Sequence, residues 1–132
     1  MSVVLGYVPT PEGAAALEHA IGEARDRDTR LVVVNTSRGD ALVDQRYAQE
    51  DQLAGLTARL EGTGVRHDLV HAVRGRDAAE EILDAADQHR ADLIVIGLRR
   101  RSPVGKLLMG STAQRVLLEA RCPVLAVKAS PA

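Results

Sequence analysis

Aromatic side chains are nearly missing from this chain: two tyrosines, no phenylalanine and no tryptophan in 132 residues. That scarcity excludes base-stacking platforms for single-stranded nucleic acid and argues against a carbohydrate-binding or membrane-interface surface. The core has to be built from Val, Leu, Ile and Ala. Excess charge is lacking too. Lys and Arg number 17 against 18 Asp and Glu, a net charge of −1, so no global basic field draws in nucleic acid. A single cysteine, Cys122, excludes an internal disulfide framework and suits a reducing compartment. No apolar run approaches the roughly 20 residues that cross a bilayer. The opening MSVVLGYVPTPEG has no basic leader region and reads as a first strand, not a signal peptide. The expectation is a cytoplasmic chain with neither a membrane nor a nucleic-acid partner.

What is present is a regular alternation of short buried runs and amphipathic stretches. Ser2 to Val8 is apolar and β-branched, and its near-continuous hydrophobicity fits a strand covered on both faces. Thr10, Pro11 and Glu12 form a helix start: N-cap, first helical position, first-turn acid. Ala14, Leu17, Ala20, Ile21 and Ala24 continue that helix to about Arg27. A second buried strand spans Arg30 to Thr36, and a long helix is expected from Ala41 to about Glu61, closed by Gly62-Thr63-Gly64. Val65 to Val73 alternates instead of running solid, with polar residues on both sides, as an edge strand does. A helix from Asp77 to about Arg90 follows, then a strand from Asp92 to Ile96, a helix from Thr112 to Ala120, and a last strand from Pro123 to Lys128. The order β-α-β-α-β-α-β-α-β predicts an α/β three-layer sandwich with a five-stranded parallel sheet, one domain over residues 1–132. Ligands in such sheets sit beyond the carboxyl ends of the strands where strand order reverses, so the loops at Val8–Pro11, Asn35–Gly39 and Gly97–Thr112 draw interest.

The last of these loops has the grammar of a phosphate-binding corner. An apolar run stops at Gly97, a basic stretch follows, and Gly110-Ser111-Thr112 opens a helix. Its plainer reading is a strand end at Gly97 and an ordinary N-cap at Ser111 or Thr112. Arg99, Arg100, Arg101 and Lys106 are either a solvated loop or a basic rim facing phosphate. Other chemistries fall away. Gly105-Lys106 is followed by Leu107, and Arg100 stands where a Walker loop needs its first glycine. No Gly-x-Gly-x-x-Gly follows the first strand. A receiver domain is excluded by Val8-Pro9 and Arg74-Gly75, where its acidic residues belong. His67 and His71 share a strand face but lie roughly 13 Å apart, too far for one metal ion. His19 and His89 have no partner at ligand spacing, so no metal site is expected. Ser111 has no base near it in sequence, Asp44, Glu50 and Asp51 read as a solvated helix face, and Cys122 reads as a small buried residue. No catalytic residue is expected.

Over its whole length the sequence resembles a universal stress protein domain. That family carries a signature of Gly, two residues, Gly, nine residues, Gly and then Ser or Thr, often followed by a Cys-Pro-Val entry to the fifth strand. Gly97, position 100, Gly110 and Ser111 fall at that spacing, and Cys122-Pro123-Val124 follows. Lys106 to Ser111 and Arg115-Val116-Leu117 match the family style. The resemblance implies a Rossmann-like fold of the adenine nucleotide alpha hydrolase kind and a non-catalytic, ATP-binding stress-response module. It implies that Gly97, Gly110, Ser111 and Thr112 hold phosphate, and that Val34 or Asn35 flanks the base. The chain departs from the pattern twice. Arg100 replaces the second glycine, and Val8 stands where nucleotide-binding members carry an acid. The alternative is therefore a nucleotide-independent dimeric regulatory protein with a decayed ATP site. An apolar fifth strand invites a copy of itself, as the family commonly pairs, so a homodimer through Val124 to Lys128 is expected.

Overall fold

A computed structural model describes residues 1–36, 53–71, 77–98 and 110–129. The expected start of the second helix at Ala41 lies outside those residues. So do Asp44, Glu50, Asp51, the arginine run with Arg100, Lys106, and the Arg74-Gly75 turn.

Five strands form one parallel sheet: β1 (Ser2–Tyr7), β2 (Arg30–Asn35), β3 (His67–His71), β4 (Ala91–Leu98) and β5 (Val124–Lys128), in the order β3-β2-β1-β4-β5. Strand order reverses between β1 and β4. The helices are α1 (Pro11–Asp26), α2 (residues 53–61), α3 (Ala78–Gln88) and α4 (Ser111–Glu119). The α/β sandwich expected from the sequence is the observed fold.

Alternation within the strands builds two separate cores. Val3, Leu5, Leu31, Val33, Leu93 and Val95 pack with α1 and with Leu56 and Leu60 of α2. Their neighbours Val4, Val32, Val34, Ile94 and Ile96 point the other way, onto α3 and onto Ala113 and Val116 of α4. The central strands β1 and β2 are buried on both faces, which is why they read as solid apolar runs. β3 is an edge strand, as its mixed pattern predicts, and its Asp68 pairs with Arg30 at 3.0 Å.

Two details differ from expectation. The buried stripe of α1 begins at Gly13 and continues through Ala16, Leu17, Ala20, Ile21 and Ala24, while Ala14 is exposed. Gly13 is drawn inward because α1 starts directly on the end of β1: a Cβ there would lie 1.8 Å from the Val8 carbonyl oxygen. Gly97 does not end β4. It pairs with Val127, and Leu98 pairs with Lys128, before the strand stops.

Candidate functional site

A cavity of about 530 Å³ opens beyond the carboxyl ends of β1 and β4, where the strand order reverses. Gly6, Val8 and Thr36 come from the β1 and β2 side, and Ile96, Gly97 and Leu98 from β4. Three helices begin against it, contributing Thr10 and Glu12 (α1), Ala78 and Ile82 (α3), and Gly110 to Ala113 (α4). Gly6 lets α3 come close, since a Cβ there would meet Ile82 Cδ1 at 2.5 Å.

The three helix starts are not equivalent. At α1, Thr10 Oγ1 accepts from the Gly13 amide at 3.0 Å, and Pro11 has no amide hydrogen to satisfy. At α3, Asp77 Oδ1 accepts from the Ala79 amide at 3.2 Å. At α4 the N-cap is Gly110, which has no side chain to offer. Its carbonyl accepts from Gln114 at 3.0 Å, and no hydrogen bond leaves the Ser111, Thr112 or Ala113 amide among the described residues. Ser111 and Thr112 are thus the first two helical residues, and the reading of either as an N-cap is corrected. Of the three described helix starts at the cavity, this is the one with no side-chain cap, so its first-turn amides and positive dipole end face the cavity without a protein acceptor among the described residues.

The two glycines of the corner are glycine for different reasons. A Cβ on Gly97 would lie 2.7 Å from the Glu12 carbonyl oxygen and 2.8 Å from its carbon, so the first turn of α1 fills that place. A Cβ on Gly110 would meet no described atom within 4 Å, and its φ of −62° is open to any residue. The fold requires Gly97 to lack a side chain; the described residues make no such demand at Gly110.

Of the residues expected to form the site, Val8, Gly97, Gly110, Ser111 and Thr112 line this cavity. Val34 does not. Its side chain is 0% exposed, packed between the sheet and α3, because it alternates with Val33 onto the covered face. Thr36, two residues on, lines the cavity instead, its hydroxyl donating to the Tyr7 carbonyl at 3.0 Å. Thr36 falls in the Asn35–Gly39 loop singled out from the sequence, whereas Glu12, Ala78 and Ile82 were not anticipated. The signals were available in part: Thr36 closes the second strand, and Glu12 stands in the first turn of a helix that begins at a strand end.

Among the described lining residues Glu12 is the only ionisable one. Among the described residues a dense charge cluster lies to the side, where Arg115 of α4 reaches Asp77 (2.6 Å), Glu119 (2.7 Å) and Glu80 (3.4 Å). Hydrogen bonds to Glu119 first and to Asp77 next hold the guanidinium above its ordinary pKa. Arg115 also borders a smaller cavity of about 220 Å³ between α3 and α4, but it is committed to these ion pairs.

The universal stress protein family profile matches residues 1–128. A universal stress protein of Mycolicibacterium smegmatis is 52% identical, over 96% of each chain. This chain belongs to the universal stress protein family. Among solved structures, a universal stress protein from Archaeoglobus fulgidus superposes with a TM-score of 0.74 at 32% identity, covering 96% of this chain and 97% of its own. Another, the Archaeoglobus fulgidus universal stress protein in complex with dAMP, gives a TM-score of 0.66 at 27% identity, with 96% of each chain covered. Both share the α/β sandwich. Among the described residues no helix is long and apolar enough to cross a membrane.

Proposed function

We propose that this chain is a non-catalytic adenine-nucleotide-binding module of the stress response, with ATP as its ligand, and that it works as a homodimer. The observation that carries the reading is the start of α4, the one of the three described helix starts at the cavity with no side-chain cap, whose Ser111, Thr112 and Ala113 amides make no hydrogen bond among the described residues. Phosphate oxygens are the acceptors such amides lack. They would meet Gly110, Ser111 and Thr112, with Gly97 in the wall beside them; Arg100, assigned to the phosphates by the family resemblance, lies outside the described residues. Val8 and Thr36 would border the base, with Val34 behind them. A volume of about 530 Å³ falls within the range of small-molecule sites. The relative in complex with dAMP supports an adenine nucleotide as the class of guest. Isothermal titration with ATP at low ionic strength tests the proposal. Saturable heat that shrinks as salt is added supports it; a flat titration defeats it.

A second reading, a dimeric regulatory protein that needs no nucleotide, is favoured by two observations. Val8 brings no polar group to the base end of the cavity. β5 is the outermost strand of its side of the sheet, with Val124, Leu125 and Ala126 only partly buried. Pairing through Val124–Lys128 would complete that edge. Light scattering separates the readings when combined with the titration: a dimer with no nucleotide response selects the second. Leu125→Asp should convert the dimer to monomer while far-UV circular dichroism stays unchanged.

A further inference from the structure

The cavity has two chemically opposed walls. One is the start of α4, where the amides of Ser111, Thr112 and Ala113 are donors with no acceptor among the described residues. The other is the first turn of α1, where Glu12, whose carboxylate can only accept, is among the lining residues. Several surface carboxylates are paired: Glu18 with Arg59, Glu23 with Arg27, Asp68 with Arg30, and Asp77 and Glu119 with Arg115. Glu12 makes no hydrogen bond or ion pair among the described residues. Its placement is nevertheless fixed. Its backbone lies against Gly97, with the Glu12 Cβ 3.2 Å from where a Gly97 Cβ would stand. The side chain therefore starts at the carboxyl end of β4, within the cavity that also holds the α4 amides.

A first-turn acid has a simple structural use, since it complements the dipole of its own helix. That explains an acid at position 12 but leaves its remaining acceptor capacity facing a cavity. An occupant must then meet two demands. It needs acceptors or negative charge at the α4 end, and hydroxyl or amine donors at the Glu12 end. A phosphate turned toward Glu12 would meet like charge, so the carboxylate also fixes which way round the occupant lies.

Resting on the nucleotide reading above, we infer that Glu12 is a specificity residue that accepts hydrogen bonds from the sugar hydroxyls and selects nucleotides carrying a free vicinal diol. The diol supplies two donors on adjacent carbons, matched to the two oxygens of one carboxylate. Each such bond is charge-assisted. Removal of the hydroxyls leaves the carboxylate at the cavity wall with nothing to replace its water, so the analogue is rejected.

The test compares ATP with 2′,3′-dideoxyATP by titration calorimetry on the wild-type chain and on Glu12→Ala and Glu12→Gln, each with and without magnesium. The wild type should bind ATP about tenfold more tightly than the dideoxy analogue. In Glu12→Ala that ratio should fall to near one, mainly through weaker ATP binding, with dideoxyATP little changed. Glu12→Gln, which keeps an acceptor but loses the charge, should fall between. Equal binding of both nucleotides by the wild type overturns the role of Glu12 and leaves the nucleotide reading standing. A preference that survives in Glu12→Ala does the same. A Glu12 effect that appears only with magnesium and acts equally on both nucleotides assigns the carboxylate to a metal and not to the sugar, which also overturns it. Binding of neither nucleotide by the wild type defeats the underlying reading and this one with it. Position 12 is partly exposed in the first turn, and unchanged circular dichroism spectra are the check that both variants fold.

Discussion

Arg115 and Asp77 are 38 residues apart in sequence and meet at 2.6 Å, and the same aspartate caps α3 with its other oxygen. One carboxylate thus closes the start of α3 and ties it to α4, the helix whose own start is left open. The division is economical. Negative charge near the cavity is held by a guanidinium at its side, and the amides of α4 keep their positive end unneutralised. Asp77→Ala removes both the cap and the tie. Loss of the cap should lower unfolding free energy by about 1 kcal/mol, read from urea denaturation at unchanged m value. Arg115→Gln keeps the cap and breaks only half-exposed ion pairs, to Asp77, Glu119 and Glu80, so it should lower stability less than Asp77→Ala does.

Glycine substitutions separate packing from ligand approach. Gly97→Ala would set a methyl group 2.7 Å from the Glu12 carbonyl oxygen, backbone against backbone, and neither side can turn away. Overpacking of this kind should cost about 2 kcal/mol. Gly22→Ala is the contrast. It lies inside α1 with nothing within 4 Å of the added carbon, and should raise stability by about 1 kcal/mol through helix propensity. Chemical denaturation of the two variants beside the wild type should show shifts of opposite sign.

Much of this architecture is written in the chain at short range. Solid runs such as Val3-Val4-Leu5 and Leu31-Val32-Val33-Val34 announce strands buried on both faces, and the mixed His67 to His71 announces an edge. The site is legible only in part, because its walls are assembled from elements far apart in sequence. Gly97 reads as a ligand-facing turn, yet its missing side chain makes room for α1, a contact 85 residues away in sequence. Val34 reads as a strand-end residue near a ligand, but the pleat turns it into the core and gives the cavity Thr36 instead. Glu12 reads as an ordinary first-turn acid until β4 is laid beside α1. Nor can sequence say that Gly110, and not Ser111, occupies the N-cap, since both residue types are acceptable there.

Cys122 supplies a test that depends on pH. Burial, then the charges of Asp92 and Asp87, push its thiol above the ordinary value, against a smaller opposing hydrogen bond at the Ile94 backbone. The thiol should therefore react more slowly with a disulfide reagent in the folded chain than in urea at the same mildly alkaline pH. Stability follows with a definite sign. Below the ordinary thiol value both states hold the proton and the group contributes no pH dependence. Between the ordinary and the raised value only the folded chain keeps it, so unfolding releases a proton and stability falls as pH rises. Cys122→Ser should flatten that part of the denaturation-against-pH curve.

The open start of α4 makes its own prediction, in which stability and binding move apart. Gly110→Ser places a hydroxyl at the N-cap, where φ of −62° and ψ of 154° already suit it, and no described atom stands within 4 Å of the new Cβ. The serine oxygen would accept from a first-turn amide, as Thr10 does at α1, and should stabilise the unliganded chain by about 1 kcal/mol. That same amide is then lost to phosphate, so ATP affinity should fall as the melting temperature rises. Gly110→Ala separates the two effects. It adds the carbon without the acceptor, so it should not raise stability and should disturb binding only by its bulk. A gain in both stability and ATP affinity in Gly110→Ser would mean that the anion is held somewhere other than the α4 amides.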